Sequence, residues 1–278
     1  MKLETVTHVP AGPRRVELVI ILGLLTAFAP LSIDMYLPAF PTLTRALATD
    51  DAMVQLSLAS FFITFASGQV LFGPLSDRYG RRAPLYGSLT LFAAASVGCA
   101  LADDITALIG FRFLQGFGAC AGGVIARGVV RDLFERNEAA RIFSALILVM
   151  GAAPMFAPLL GGKLLIWADW RAIFWCLAAI GMVCLAAVIW RMPETHKAEH
   201  IQSLHLGRIV RTYCMLLGDM RFLAYALIGG LALGGMFAYI AGSPFVFIDI
   251  FGMAPDDYAV IFGLNAFGLS PWPRSTAA

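Results

Sequence analysis

Residues 73–85 read Gly73-Pro-Leu-Ser-Asp77-Arg78-Tyr-Gly80-Arg81-Arg82-Ala-Pro-Leu85, with an acid and three arginines gathered between 77 and 82. On either side charge disappears: residues 52–76 and 83–102 contain no Asp, Glu, Lys or Arg. The same blank recurs over 18–33, 142–162, 172–190 and 222–248. A helix needs about 20 apolar residues to cross a hydrocarbon layer of ~30 Å. Five of these six runs approach or exceed that length. The first reaches it by continuing through Asp34 to Leu37, and 105–126 adds another, interrupted only by Arg112. Charged residues make up 14% of the 278, against roughly a quarter in a soluble domain. The mean hydropathy is +0.79. So little charge cannot cover a water-facing surface. The sequence predicts an all-α membrane protein with spans near 17–37, 53–75, 83–101, 105–127, 142–165, 171–190 and 221–247, and a partial eighth from about 257 to 270.

The placement of basic residues orients these spans. With the N-terminus in the cytoplasm, sixteen of the twenty Lys and Arg fall on cytoplasmic segments, three on external ones, and Arg112 within the membrane. The external connections are short and partly acidic: Asp50-Asp51, Asp103-Asp104, Asp169 and Asp256-Asp257. The net charge of +2 is therefore a membrane signature rather than one of nucleic-acid binding. The five cysteines form no CxxC pair or metal spacing, and four lie within spans as small apolar residues. Arg14 and Arg15 precede the first apolar run as in a signal peptide, but the run meets no small-residue cleavage pattern, so an uncleaved span is expected. There is no GxxxxGK[ST] phosphate loop and no recognisable nucleophile, base and orienter, so neither ATP hydrolysis nor enzyme chemistry is expected. No cofactor and no metal are expected either.

The longest hydrophilic stretch separates six closely connected spans from the seventh. The organisation read from this is a cytoplasmic N-terminus over 1–16, a six-helix half over 17–191, a cytoplasmic linker over 192–220, the start of a second half over 221–269, and an atypical tail over 270–278. Two related halves joined this way describe a transporter. Pro271 and Pro273 and the change of composition after Leu269 predict a truncated or frameshifted end. With so little second half, Asp34 and Arg112 are expected to face lipid or another chain.

Residues 73–85 thus form the cytoplasmic turn between the second and third spans. Three arginines suffice for a positive-inside anchor, but Asp77 and the flanking Gly73 and Gly80 do not follow from that role. Glycine admits positive φ and close approach, and an acid among arginines forms a charge-assisted network or caps a helix start. A conformational latch is the reading these residues favour, with Arg127 and Arg131 as the expected partners of Asp77. Asp132 and Glu135 remain an alternative, neutralising those arginines as a solvated surface pair.

Gly73-x-Leu75-x-Asp77-Arg78-x-Gly80-Arg81-Arg82 resembles the loop signature between the second and third helices of the major facilitator superfamily. Arg112-Phe-Leu-Gln115-Gly116-Phe-Gly118-Ala119 resembles the fourth-helix motif of its proton-coupled members. Gly151-Ala-Ala-Pro154-Met-Phe-Ala157-Pro158-Leu-Leu-Gly161-Gly162 resembles the fifth-helix motif of its antiporters, with Ala157 where that motif usually has glycine. Leu31-Ser-Ile-Asp34-Met-Tyr36-Leu-Pro38-Ala-Phe-Pro41, Asp169-Trp-Arg171-Ala-Ile-Phe-Trp175 and Pro193-Glu-Thr are similar to the bicyclomycin/chloramphenicol-resistance (Bcr/CflA) drug exporters. The resemblance covers roughly residues 15–269 of a twelve-span family. It implies the major facilitator fold, with the first half complete and the second short. It also implies a cytoplasmic latch that includes Arg131 and holds the inner side closed.

A carboxylate at membrane depth costs ~2.5–3.5 kcal/mol even on a lenient scale. Asp34 must therefore face a wet cavity, pair with a cation or carry a proton, unless it sits at the headgroup level. Pro30 and Pro38, four residues either side, loosen its helix. Arg112 is the complementary charge, with Gln115, Gly116 and Ala119 on one small, polar face suited to close packing and to lining a cavity. Asp34, Arg112 and Gln115 are the expected proton- or substrate-binding residues, with Arg112 tuning proton release from Asp34. Gly151, Pro154, Pro158, Gly161 and Gly162 make the fifth span a tightly packed, kinkable helix. The function implied is proton-coupled export of small apolar antimicrobials across the bacterial inner membrane, with a drug, protons and the bilayer as partners. Two alternatives stay open: symport of a nutrient or organic ion, and an inactive or interaction-only membrane fragment.

Overall fold

The computed structural model describes residues 13–196 and 206–269. The reading of 1–12, of 197–205 within the linker and of the 270–278 tail falls outside the described residues. Helix α1 (Pro13–Asp34) is followed by a 3₁₀ turn (Leu37–Ala39) and α2 (Phe40–Ala46). Then come α3 (Asp51–Tyr79), α4 (Arg82–Ala100), α5 (Ile105–Leu133), α6 (Arg136–Trp167) and α7 (Trp170–Arg191). After the linker, α8 (Leu206–Gly218) precedes α9 (Met220–Pro244), which runs into a π turn (Phe245–Ile250), and α10 (Pro255–Leu269) ends the described chain. Among the described residues, seven helices are long and apolar enough to cross a membrane. The charge-free runs thus mark the spans, while helix α8 lies within a stretch read from sequence only as a linker.

The acidic connections carry local instructions. A helix leaves its first N–H groups unpaired, and an aspartate just before it accepts from them. The Asp50 carboxylate accepts from Met53 N at 2.8 Å, Asp104 from Ala107 N at 2.8 Å and Asp169 from Arg171 N at 2.9 Å. Three of the acids in the short connections are therefore helix caps.

Packing centres on α5. In lipid the hydrophobic effect does not drive helices together, so close backbone approach through small residues matters more. Gly116 faces the Phe61 carbonyl of α3, Gly118 the Phe92 backbone of α4 and Gly122 the Leu25 carbonyl of α1. One helix is thus seated against three others, each through a glycine whose Cβ would collide with main chain. Helix α7 packs on α4, and α6 on α1 and α10. Helix α9 is exposed along nearly all its length, whereas α10 buries Tyr258, Ala259 and Phe262.

Gly116→Ala should force α3 and α5 apart, and such overpacking costs ~1–3 kcal/mol. Gly110→Ala, on the same helix with nothing within 4 Å, serves as the control. Thermal unfolding in detergent should show a lower midpoint for the first and little change for the second; equal midpoints would remove the close-packing account.

Candidate functional site: buried charges and an arginine-centred network

The last turn of α1 does not close regularly. Met35 N bonds Leu31 O at 3.2 Å, but Tyr36 N turns to Ile33 O at 3.3 Å. The Ser32 carbonyl is left without its helical donor, and Arg112 supplies one: Nη1 donates to Ser32 O at 3.1 Å. The same nitrogen donates to Gln115 Oε1 at 2.6 Å, joining residues three apart on α5. Gln115 in turn donates to Ser96 Oγ on α4 at 2.7 Å. The Arg112–Gln115 spacing seen in the sequence is therefore a real contact.

Arg112 has 0% exposure. Its guanidinium lies 4.6 Å from the Tyr36 ring centroid and 4.5 Å from that of Phe61, with Phe174 at 5.9 Å. Cation–π contact with a desolvated guanidinium contributes about 2 kcal/mol or more per face. Tyr36 is itself fixed by its hydroxyl to Ser57 Oγ at 2.8 Å. Among the described residues, the Nε and Nη2 edge has no partner, nor does Ser32 Oγ. Asp34 is 3% exposed and forms no ion pair with Arg112 within 4.0 Å. This corrects one expectation: neither group faces lipid, because the first half, the 3₁₀ turn and α10 already enclose the end of α1. The polar face of α5 also divides. Ala119 lines a cavity, whereas Gln115 and Gly116 are packed against α4 and α3.

The fifth-span motif lies on α6, an unbroken helix through Pro154 and Pro158. Gly161 is seated on the Met35 carbonyl, directly beside the irregular end of α1, and Gly162 is buried. Gly151 and Pro154 are half-buried, and neighbouring Met155 receives Gly263 of α10. This motif therefore grips the segment carrying Asp34 on one side and α10 on the other.

At the arginine-rich end, Gly80 adopts φ +82°, which breaks α3 and lets α4 start two residues later. Arg81 then points inward. Its Nε and Nη2 donate to the two Asp132 carboxylate oxygens at 2.8 and 3.2 Å, a bidentate fork, while Nη1 donates to Ser76 Oγ at 2.6 Å and Asp77 Oδ1 at 2.9 Å. Burial alone would lower the Arg81 pKa, but Asp132 and then Asp77 outweigh it and hold the guanidinium above its ordinary value. This overturns the expected Asp77 partnership with Arg127 and Arg131. Arg81 lies one helical turn from Asp77 and reaches it first, and the acid that α5 contributes is Asp132. Arg127 and Arg131 instead line a cavity of about 250 Å³ beside the network, together with Gly73 and Asp77. Arg78 is exposed. Arg82 ties α4 to the end of α7, donating to Ile189 O at 2.9 Å.

Sequence reasoning missed the residue that completes this network. Glu194, just beyond α7, is buried against the start of α4. Its carboxylate accepts from Arg81 N at 2.9 Å, Arg82 N at 3.1 Å, Thr195 N at 3.0 Å and His196 N at 3.0 Å. Thr195 adds a hydroxyl bond to Asp132 at 3.1 Å. An acid receiving backbone N–H groups at a helix start offsets orphan donors and the helix dipole together. The signal was the Pro193-Glu-Thr stretch following a span opposite the arginine turn.

These placements match a known arrangement. The sequence profile described as Major Facilitator Superfamily matches residues 22–273. The chain belongs to the major facilitator superfamily. It is 42% identical to the "Uncharacterized MFS-type transporter YdgK" of Bacillus subtilis (strain 168) over 94% of this chain and 66% of that one. It is 32% identical to the "Bicyclomycin resistance protein homolog" of Haemophilus influenzae over 89% of this chain and 62% of that one. Relatives of the bicyclomycin- and chloramphenicol-resistance type are the ones its sequence motifs resemble. The chain spans about two thirds or less of the length of these curated relatives. An inward-facing, occupied bacterial homolog of the lysosomal transporter Spinster shares the fold, with a TM-score of 0.74 at 15% identity over 93% of this chain and 60% of that one. This is a transporter superfamily, not an enzyme family, and the chain is a multi-pass membrane protein.

Glu194→Ala should leave four backbone donors without their acceptor, and Glu194→Gln should retain part of the set. Hydrogen bonds to a charged group contribute ~1.5–3 kcal/mol each. Limited trypsin cleavage at Arg81 and Arg82 should accelerate in the order parent, Gln, Ala. Identical cleavage in all three would show that Glu194 does not hold the turn.

Proposed function

We propose that this chain operates as a proton-coupled antiporter exporting small, largely apolar antimicrobials across the bacterial inner membrane, with its N-terminus in the cytoplasm. The observation that supports this reading is a fully buried arginine, Arg112, whose Nε–Nη2 edge has no partner among the described residues, together with a buried aspartate, Asp34, at the end of the helix whose Ser32 carbonyl it holds. A buried ion without its counter-ion costs several kcal/mol. Arg112 is relieved by aromatic rings, but its Nε–Nη2 edge, the geometry that suits a carboxylate, has no partner among the described residues. Asp34, buried two residues beyond the Ser32 carbonyl that Arg112 holds, is the acid we assign to it. When Asp34 loses its proton, attraction draws the carboxylate to that edge; when it gains one, the attraction ends and the loosened turn from Asp34 to Leu37 relaxes.

Helix α6 offers a route from that change to the rest of the molecule. Gly161 rests on Met35, so displacement of the turn pushes on α6, which holds α10 at Met155. The Arg81 network closes the opposite end. Its side-chain bonds to Asp77 are half in solvent, with Asp77 52% exposed, so they are suited to opening within a two-state equilibrium of a few kcal/mol. The names of the curated relatives support the drug-resistance reading. One elementary charge moving through 100 mV supplies ~2.3 kcal/mol, enough to sustain a gradient of about fiftyfold.

In proteoliposomes of the full chain, drug-dependent proton movement should vanish in Asp34→Asn with insertion unchanged. Arg112→Lys, which lacks the planar fork and stacks poorly, should shift the pH dependence of transport. Undiminished proton coupling in Asp34→Asn would end the assignment of Asp34 as the proton carrier.

A further inference from the structure

About one helical turn along α5 from Gln115, a cavity of about 110 Å³ lies between α1, α3, α5 and α6. Most of its wall is apolar, formed by Leu25, Ala29, Phe65 and Met150 among others. Thr26 also borders it, but its hydroxyl is already committed to Gly23 O at 2.8 Å. Two polar side chains remain available: the Gln69 amide and the Arg127 guanidinium, neither with a hydrogen-bond or ion-pair partner among the described residues. Arg127 folds back along its own helix, so that a Cβ on Gly123, another wall residue, would meet its Nη1 at 3.9 Å.

Size and charge together define an occupant. An apolar void of ~150 Å³ accepts a benzene ring, so this space of about 110 Å³, open on the side of the exposed Met150 and Arg127, takes at most one ring, seated from that side, rather than a whole large molecule. No carboxylate lines the cavity among the described residues. The two acids in the other cavity that Arg127 borders, Asp77 and Asp132, are engaged by Arg81. A guanidinium is donor-only and permanently positive, and an amide offers a donor beside it. The cavity therefore presents an apolar slot with a cationic, hydrogen-donating rim.

We propose that this cavity seats the aromatic ring of a neutral or anionic solute, with Arg127 and Gln69 holding an acceptor beside that ring, and that Arg127 turns away organic cations. This assignment rests on the exporter reading and specifies the charge class of what is exported. Arg127 also borders the cavity beside the Arg81 network, so its guanidinium stands between bound solute and the closed end.

The test uses three single-ring probes of similar size: 4-nitrobenzyl alcohol, benzoate and benzyltrimethylammonium. In proteoliposomes of the full chain carrying Ala29→Cys, each probe competes with N-ethylmaleimide, and peptide mass mapping gives the alkylation rate at position 29. The neutral and anionic probes should slow it at least threefold and the cation should leave it unchanged. Arg127→Glu should reverse the order, with the cation protecting and benzoate not. Met150→Cys provides a second reporter should the Ala29 variant fail to fold. Equal protection by all three probes, protection by none, or an unreversed order in Arg127→Glu would each overturn the assignment. Drug-dependent proton movement in the same vesicles separates the two readings. Its loss with the charge order intact counts against the exporter alone, and its persistence without any charge order counts against this site alone.

Discussion

A guanidinium removed from water and held between two aromatic faces sets the terms for the rest of the structure. Taking an arginine out of solvent costs several kcal/mol. The faces of Tyr36 and Phe61 return about 2 kcal/mol or more each, and the bonds to Ser32 O and Gln115 return part of the remainder. What is left unsatisfied is one edge of the fork, Nε and Nη2. A site in this condition is neither an inert core residue nor a settled salt bridge. It is a charge whose surroundings meet most but not all of its needs. The end of α1 is shaped to serve it, giving up a regular helical bond at Ser32 so that a carbonyl can turn towards Arg112.

Helix α5 joins this charge to the opposite end. Arg112, the cavity-lining Ala119 and Arg127, and Asp132 all lie on it, spread over about 30 Å at the helical rise per residue. Gly116, Gly118 and Gly122 seat the same helix against three neighbours. In the proposed cycle, a displacement at the buried charge is carried along this helix. The Arg81–Asp132 fork, braced by Glu194 and Thr195, is where such a displacement meets the turn between α3 and α4.

Much of this is legible in the sequence alone. Blocks of missing charge locate the spans because a bilayer tolerates nothing else over that length. The Arg112–Gln115 relation follows from helical spacing, and the short-side aspartates are visible as acids although their capping role is not. Three things escape for physical reasons. The cage around Arg112 draws Tyr36, Phe61 and Phe174 from three separate segments, and with 21 phenylalanines in the chain no single ring stands out. The expected partner of Asp77 lies across the helices, whereas Gly80 turns the chain so that Arg81 meets it locally. Glu194 escapes because its bonds go to backbone N–H groups, which no side-chain pattern announces.

The most direct test of the central claim is infrared difference spectroscopy of the full chain in lipid, recording the carboxyl carbonyl region on addition of chloramphenicol. The account predicts a carboxyl band that changes on drug addition, is absent in Asp34→Asn, and is displaced when Arg112 is replaced by Lys. A spectrum in which Asp34 contributes no drug-dependent change, with drug binding demonstrated in the same sample, would contradict it.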